Sequence, residues 1–260
     1  MNKYSIVLPV FNREEFLAEV IKSYQQQTYK DWEMIIVDDK STDKSLIIAT
    51  EFSQQDKRIK VVSHPVNSGV GKARRTGTDR AAGEYIVVAD SDDFPRENRL
   101  SLINQHLTEN PKIDVFYSNV ELYELSSKTT VKRFFQPYNR ELLSYINYIP
   151  NPAACYRHAA YNDIGGYDTS LQIAEDYDLW LSFAEKDSVF ACSPEVTVRM
   201  TKHEHSVRIE KENVHKHYLR LVKQKHHCPE PNIARVKELA TEGTYKFFTG
   251  QDRFDRWFSL

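Results

Sequence analysis

Short apolar runs alternate with amphipathic stretches along the first hundred residues, and that alternation sets the expected architecture. Tyr4–Val10, Glu33–Val37, Ile59–Val62 and Tyr85–Ala89 are brief and rich in β-branched residues. Runs of this kind read as strands covered on both faces, as in parallel sheets. After the first run, Phe16, Leu17, Val20, Ile21 and Tyr24 recur at three- and four-residue spacing and form one apolar helical face. Asn12 stands where the N-cap of that helix belongs. Leu46, Ile47, Ala49, Thr50 and Phe52 mark a helix after the second run, and a third helix is predicted over 70–82. The βαβαβαβ order predicts an α/β protein with a mostly parallel, doubly wound, Rossmann-like sheet.

Beyond about Asn110 the alternation weakens. Val115–Val120 reads as another strand, and the polar Ser126-Ser127-Lys128 turn between apolar runs predicts a hairpin. Tyr145–Pro152 is aromatic and loop-like, suited either to the core or to stacking on the faces of a ligand. From residue 207 onward two polar helices are expected, interrupted by Pro229 and Pro231, with Phe254, Trp257 and Phe258 packing back on the domain. These patterns divide the chain into residues 1–110, 111–206 and a helical extension, 207–260.

Composition narrows the class. The chain has 260 residues, 40% of them hydrophobic, enough for a sizeable core. Its mean hydropathy of -0.59 marks a polar surface. Lys and Arg number 35 against 37 Asp and Glu, and the net charge of -2 supplies no global field for nucleic acid or an anionic membrane. Three widely spaced cysteines, Cys155, Cys192 and Cys228, fit reduced thiols in a cytoplasmic protein. His226-His227-Cys228 lacks a second ligand pair and makes a poor metal site. No apolar stretch approaches the roughly 18 residues that span a bilayer, so peripheral contact is the form any membrane work is expected to take.

Carboxylates gather where the strands end. Asp38-Asp39 closes the second strand and Asp90-Ser91-Asp92-Asp93 the fourth. In an open α/β sheet these ends share one rim, the usual place for a ligand. One aspartate can cap a helix; three at one strand tip repel each other and call for a cation, with Mg²⁺ or Mn²⁺ the simplest match to carboxylate oxygens and phosphates. Asp38-Asp39 suits either turn chemistry or a nucleoside's ribose or base. Asn67–Gly77 leads into a helix with Gly69, Gly71, Lys72, Arg74 and Arg75. A helix N-terminus with nearby cations suits a diphosphate, although Val66 and Ala73 break the P-loop pattern. Glu175 and Asp176 open a later helix, where its dipole favours ionised carboxylates; Tyr177, Trp180, Leu181 and Ala184 can face inward.

In order and spacing, Ser5–Asn12, Val37–Asp43, Asn67-Ser68-Gly69 with Ala73-Arg74, Gly83–Ile86 and Asp90–Asp93 resemble glycosyltransferase family 2 over about residues 4–206. The resemblance implies the GT-A fold and metal-dependent, inverting transfer of a sugar from a nucleoside diphosphate sugar, UDP-linked by preference, to a saccharide or glycolipid hydroxyl. It implies work in surface polysaccharide or lipopolysaccharide synthesis, at the inner face of the cytoplasmic membrane. By position, Pro9, Phe11, Asn12 and Asp39 would line the nucleotide pocket, with Lys72, Arg74 and Asp90 toward the ribose and diphosphate. Asp92, Asp90 and His203 would serve Mn²⁺ or Mg²⁺. Glu175-Asp176-Tyr177-Asp178-Leu179-Trp180 resembles the family's E-D-x-x-L-W signature, making Asp176 the base, with Glu175, Trp180 and Asn151 toward the acceptor. Arg199, His203 and Ser206 resemble its closing pattern. Lys40 stands where the family usually has Gly, and Arg75 where it often has Asn. Two alternatives are a non-catalytic nucleotide-sugar binder and a sugar nucleotidyltransferase; the latter usually opens with a Gly- and Arg-rich loop where this chain reads Pro9-Val10-Phe11-Asn12.

Overall fold

The computed structural model describes residues 3–134, 136–203 and 212–249. Its first part follows the predicted alternation: β1 (Tyr4–Val10), α1 (Leu17–Gln25), β2 (Trp32–Asp38), α2 (Ser45–Gln55), β3 (Ile59–Ser63), α3 (Val70–Asp79) and β4 (Tyr85–Val88). Then come β5 (Phe94–Pro95), α4 (Arg99–Glu109), β6 (Val115–Glu124), β7 (Thr129–Phe134), α5 (Arg140–Tyr145), a 3₁₀ turn at Asn151–Ala153, β8 (Ala154–Arg157), α6 (His158–Asp163), α7 (Glu175–Glu185) and β9 (Phe190–Lys202). The helical extension supplies α8 (Glu212–Lys225), α9 (Ile233–Leu239) and α10 (Glu242–Thr249).

The sheet runs β3-β2-β1-β4-β8-β6-β9-β5, with β7 paired to β6. Strands β3, β2, β1 and β4 are mutually parallel, whereas β8 joins β4 and β6 antiparallel, so the whole sheet is mixed. The expected hairpin forms between β6 and β7. The near-continuous apolar strands serve two cores. Ile6, Leu8, Met34, Ile36 and Val87 pack on one face with Leu17, Ile21 and Leu100, while Val7, Ile86 and Val88 face Leu142, Tyr177, Trp180 and Leu219 on the other. Among the described residues, no helix is long and apolar enough to cross a membrane.

Three local expectations change. Asn12 does not cap α1, which begins at Leu17; its backbone takes φ +50° and its side-chain oxygen accepts from Thr42 N at 2.8 Å, tying the β1 and β2 ends together. Helix α3 stops at Asp79, short of 82. Among the described residues after 207 there are three helices rather than two, because the chain breaks again between Leu239 and Glu242. Phe254, Trp257 and Phe258 lie outside the described residues.

Candidate active site

Parallel pairing brings the ends of β1, β2 and β4 to one rim. Val10 stands opposite Asp38, and Ala89 N donates to Val7 O just before the Asp90 cluster. Asp38 stays in its own turn, accepting from Ser41 N and from Ser63 Oγ at 3.2 Å. Asp39 reaches the start of α3: it accepts from Ser68 N at 2.9 Å and Gly69 N at 2.7 Å, and pairs with His64 Nδ1 at 2.7 Å. A carboxylate at that end of the helix is favoured by the dipole. Gly69 permits this entry with φ +89°.

Helix α3 then carries Arg74 into the centre of the site. Its guanidinium is buried between two carboxylates, donating to Asp90 at 2.5 Å and to Glu175. With its amide oxygen turned inward, Asn151 also accepts from Arg74 Nη2 at 2.8 Å. The close approach of α3 to α7 depends on Gly71, where a Cβ would stand 3.3 Å from Glu175 Cβ. Arg74 thus joins Asp90 at the strand tip to the helix that bears Asp176.

Asp92 has a different partner set. Arg13 Nε donates to its Oδ2 at 3.1 Å, and His203 Nε2 lies 3.0 Å from the same oxygen. His203 arrives from the end of β9 because Phe94 pairs with Arg199 and Thr201 N donates to Asp93 Oδ1 at 2.8 Å. Its ring stacks on Phe16 with centroids 5.1 Å apart.

Burial and neighbours set these charges apart. Burial opposes ionisation of Asp92, but His203 and Arg13 prevail and hold its carboxyl below the usual range. At Asp90 burial prevails over Arg74 and, with repulsion from Asp92, raises the carboxyl. Glu175, only 4% exposed, is raised in the same way by burial and by the charge of Asp176 against the attraction of Arg74. Asp176 itself accepts from Asn147 Nδ2 at 3.1 Å and from Tyr177 N at 2.8 Å.

Not every expected residue faces a cleft. Trp180 is fully buried against Tyr156 and Phe183, so it is a core residue with no surface for an acceptor. The inward spacing of α7 wins there. Glu175 is committed to Arg74 rather than open to an acceptor, and Asn151 lies on the same guanidinium. Pro9 is buried inside β1 opposite Val37, behind the rim, whereas Phe11 is 43% exposed at its edge. Lys72 is exposed on α3, and Arg75 donates to Gly165 O and Tyr167 O at 3.1 and 2.8 Å. The Tyr145–Ile149 stretch is core apart from Asn147. Ser206 lies outside the described residues. Arg13, His64 and Asn147 are the contacting residues that sequence reasoning missed; each acts across a long separation and carries no local motif.

Mg²⁺ and similar hard ions take few protein ligands and fill the remainder with phosphate and water. Among the described residues, no cluster of three His, Cys, Asp or Glu side chains is poised to hold a metal unaided. The Asp92 carboxylate and His203 imidazole, with Asp90 near by, fit an ion that draws its other ligands from a bound diphosphate.

A glycosyl transferase family 2 model matches residues 5–165. The chain belongs to that family. It is 33% identical over 181 residues to the Escherichia coli K12 putative colanic acid biosynthesis glycosyl transferase WcaA, covering 68% of this chain and 64% of the relative. It is 29% identical over 189 residues to the Escherichia coli UDP-Glc:alpha-D-GlcNAc-diphosphoundecaprenol beta-1,3-glucosyltransferase WfgD, covering 72% of each. An uncharacterised Sinorhizobium fredii protein, y4gI, is 30% identical over 185 residues, which are 70% of this chain but 20% of that protein. Other relatives are matched over 40% and 38% of their length, so this family 2 chain spans only part of several of them. Among solved structures, S. aureus TarS 1-349 superposes with a TM-score of 0.70 at 21% identity, covering 97% of this chain and 74% of that fragment. The Pyrobaculum calidifontis mannosyltransferase PcManGT, in complex with GDP-Man and Mn²⁺, gives 0.69 at 15% identity, covering 95% and 70%. At these identities the likeness concerns the fold, which is GT-A.

Proposed function

We propose that this chain is a metal-dependent inverting glycosyltransferase that moves a sugar from a nucleoside diphosphate sugar, UDP-linked by preference, to a hydroxyl of a saccharide or glycolipid. The observation that carries the reading is Arg74, which ties the Asp90 carboxylate at the strand rim to Glu175, beside Asp176, on the far half of the chain. The UDP-glucosyl and lipid-linked diphosphate substrates in the WfgD name, and the TarS structure solved with UDP, support the donor class. In this reading residues 1–110 hold the donor, 111–206 supply the base and the acceptor side, and the described part of the extension, 212–249, buttresses them. A lipid-linked acceptor together with a nucleotide-sugar donor suits work at the inner face of the cytoplasmic membrane.

The wall that Asp39 builds with the start of α3 would take the base, and Asp90 would face the ribose. A Mg²⁺ or Mn²⁺ ion held by Asp92 and His203 would neutralise charge on the departing diphosphate. Asp176 takes the acceptor proton as the hydroxyl oxygen bonds to the anomeric carbon and the carbon–oxygen bond to the diphosphate breaks; a single displacement inverts that centre. General-base assistance of this kind is worth about 10² to 10⁴ in rate. Asp176→Asn is therefore expected to lose turnover by about that factor while still binding donor. The test is to mix the protein with UDP-sugars, Mn²⁺ and saccharide acceptors and measure free UDP. UDP release without pyrophosphate supports transfer; pyrophosphate release would identify a nucleotidyltransferase, and binding with no release a non-catalytic binder.

A further inference from the structure

Asn147 is a half-buried polar residue between buried chain neighbours. Its neighbours Tyr145, Ile146, Tyr148 and Ile149 are all buried, and the Tyr148 hydroxyl is fixed by accepting from Asn139 N at 2.7 Å and donating to Asn139 O at 3.1 Å. The Asn147 amide is aimed at α7: Nδ2 donates to Asp176 Oδ2 at 3.1 Å. The other carboxylate oxygen accepts from Tyr177 N at 2.8 Å. A second tether lies alongside, since the Tyr177 hydroxyl donates to Leu143 O at 2.8 Å and lies 3.2 Å from Ser144 O. The segment bearing Asn147 and the first turn of α7 are thus joined at two points.

The amide oxygen of Asn147 is buried and has no hydrogen-bond partner. An orphaned buried acceptor costs stability, and in a folded protein it calls for an explanation. Reversing the amide would turn its oxygen toward the Asp176 carboxylate and lose the one contact the side chain makes. The backbone just before the carboxylate is also strained: Ala174, a non-glycine residue, takes φ +68°.

We propose that Asn147 is a positioning residue for Asp176, held at a cost in stability because its N–H fixes the rotamer of that carboxylate. Each carboxylate oxygen retains a lone pair beyond the contact it already makes, so the group is held without being saturated. This inference rests on Asp176 as the base.

The test uses the full chain with Asn147→Ala and Asn147→Leu. Both are expected to melt at or above the wild-type temperature, by up to about 2–4 °C, since an orphaned polar atom is removed. A crystal structure of Asn147→Ala is expected to show the Asp176 carboxylate rotated or split over two rotamers on an unmoved α7 backbone. UDP–Mn²⁺ affinity should stay within about twofold, whereas UDP release from UDP-glucose or UDP-GlcNAc should fall about tenfold to hundredfold in kcat, the scale of a misplaced catalytic group. An Asp176 carboxylate in its original rotamer overturns the proposal. So does a loss of melting temperature together with donor affinity, which would make Asn147 structural. Asp176→Asn separates the two ideas: wild-type turnover there removes the base, while an inactive Asp176→Asn beside fully active Asn147 variants removes only the positioning role.

Discussion

Lys40 takes φ +66° directly after Asp39, in the left-handed region that a side chain enters at a cost of about 1–3 kcal/mol. This is the position at which the family usually has Gly, and the geometry gives the reason. Lys40→Gly is expected to fold with unchanged stability to within about 1 kcal/mol, strain relief offsetting the entropy of the new glycine. Lys40→Val, β-branched at a positive φ, should lose about 1–2 kcal/mol in urea unfolding. Arg74 is the costlier position. Arg74→Ala leaves Glu175 buried and unpaired and strips the half-buried Asp90 of its cation, and a loss of about 3–5 kcal/mol is expected in the same measurement. Arg74→Lys should recover only part of it, because one ammonium cannot fork between two carboxylates as a guanidinium does. The acids themselves were legible in sequence because each follows an apolar strand run. Their partners were not: Arg13 lies 79 positions from Asp92 and Asn147 lies 29 from Asp176, so only the folded chain pairs them.

Helix α7 is held from behind by the extension. At the end of α8, Lys225 Nζ lies 2.7 Å from Asp178 and 3.0 Å from Asp168, while His226 bridges Asp178 and Glu185 at 2.8 Å each. Burial opposes the His226 charge, but the two carboxylates prevail and raise it above the ordinary histidine value. A raised folded-state value means that this contribution is complete below the unfolded histidine range, near pH 6.5, and fades as pH rises through the higher folded value. Melting temperature should therefore fall more from pH 6 to pH 9 in wild type than in His226→Gln, and at pH 6 the variant should be about 2 kcal/mol less stable, the worth of a hydrogen bond to a charged group. At this scale the helical faces and the β6–β7 hairpin were readable from spacing. The start of α1 was not, because Asn12 gives its side chain to the β2 turn instead of the helix. Trp180 was readable in part: α7 periodicity turns it inward, and its complete burial settles its role as core.

At the scale of the whole molecule, the parallel half follows from strand runs alternating with helices, whereas the order of β8, β6, β9 and β5 depends on pairings between distant segments that leave no local pattern. The link from the strand tips to α7 and β9 depends on both. Helix α3 starts against Asp39 and bears the Arg74 bridge, and the β5–β9 pairing brings His203 to Asp92. The most direct test is a calorimetric titration of UDP, with and without Mn²⁺, into wild type, Asp92→Ala and Asp176→Asn. The expected result is Mn²⁺-dependent binding to wild type, a loss of at least about tenfold (about 1.4 kcal/mol) in Asp92→Ala, and affinity within about twofold of wild type in Asp176→Asn. Equal affinity in wild type and Asp92→Ala, with or without the metal, would contradict a donor site built on that strand tip.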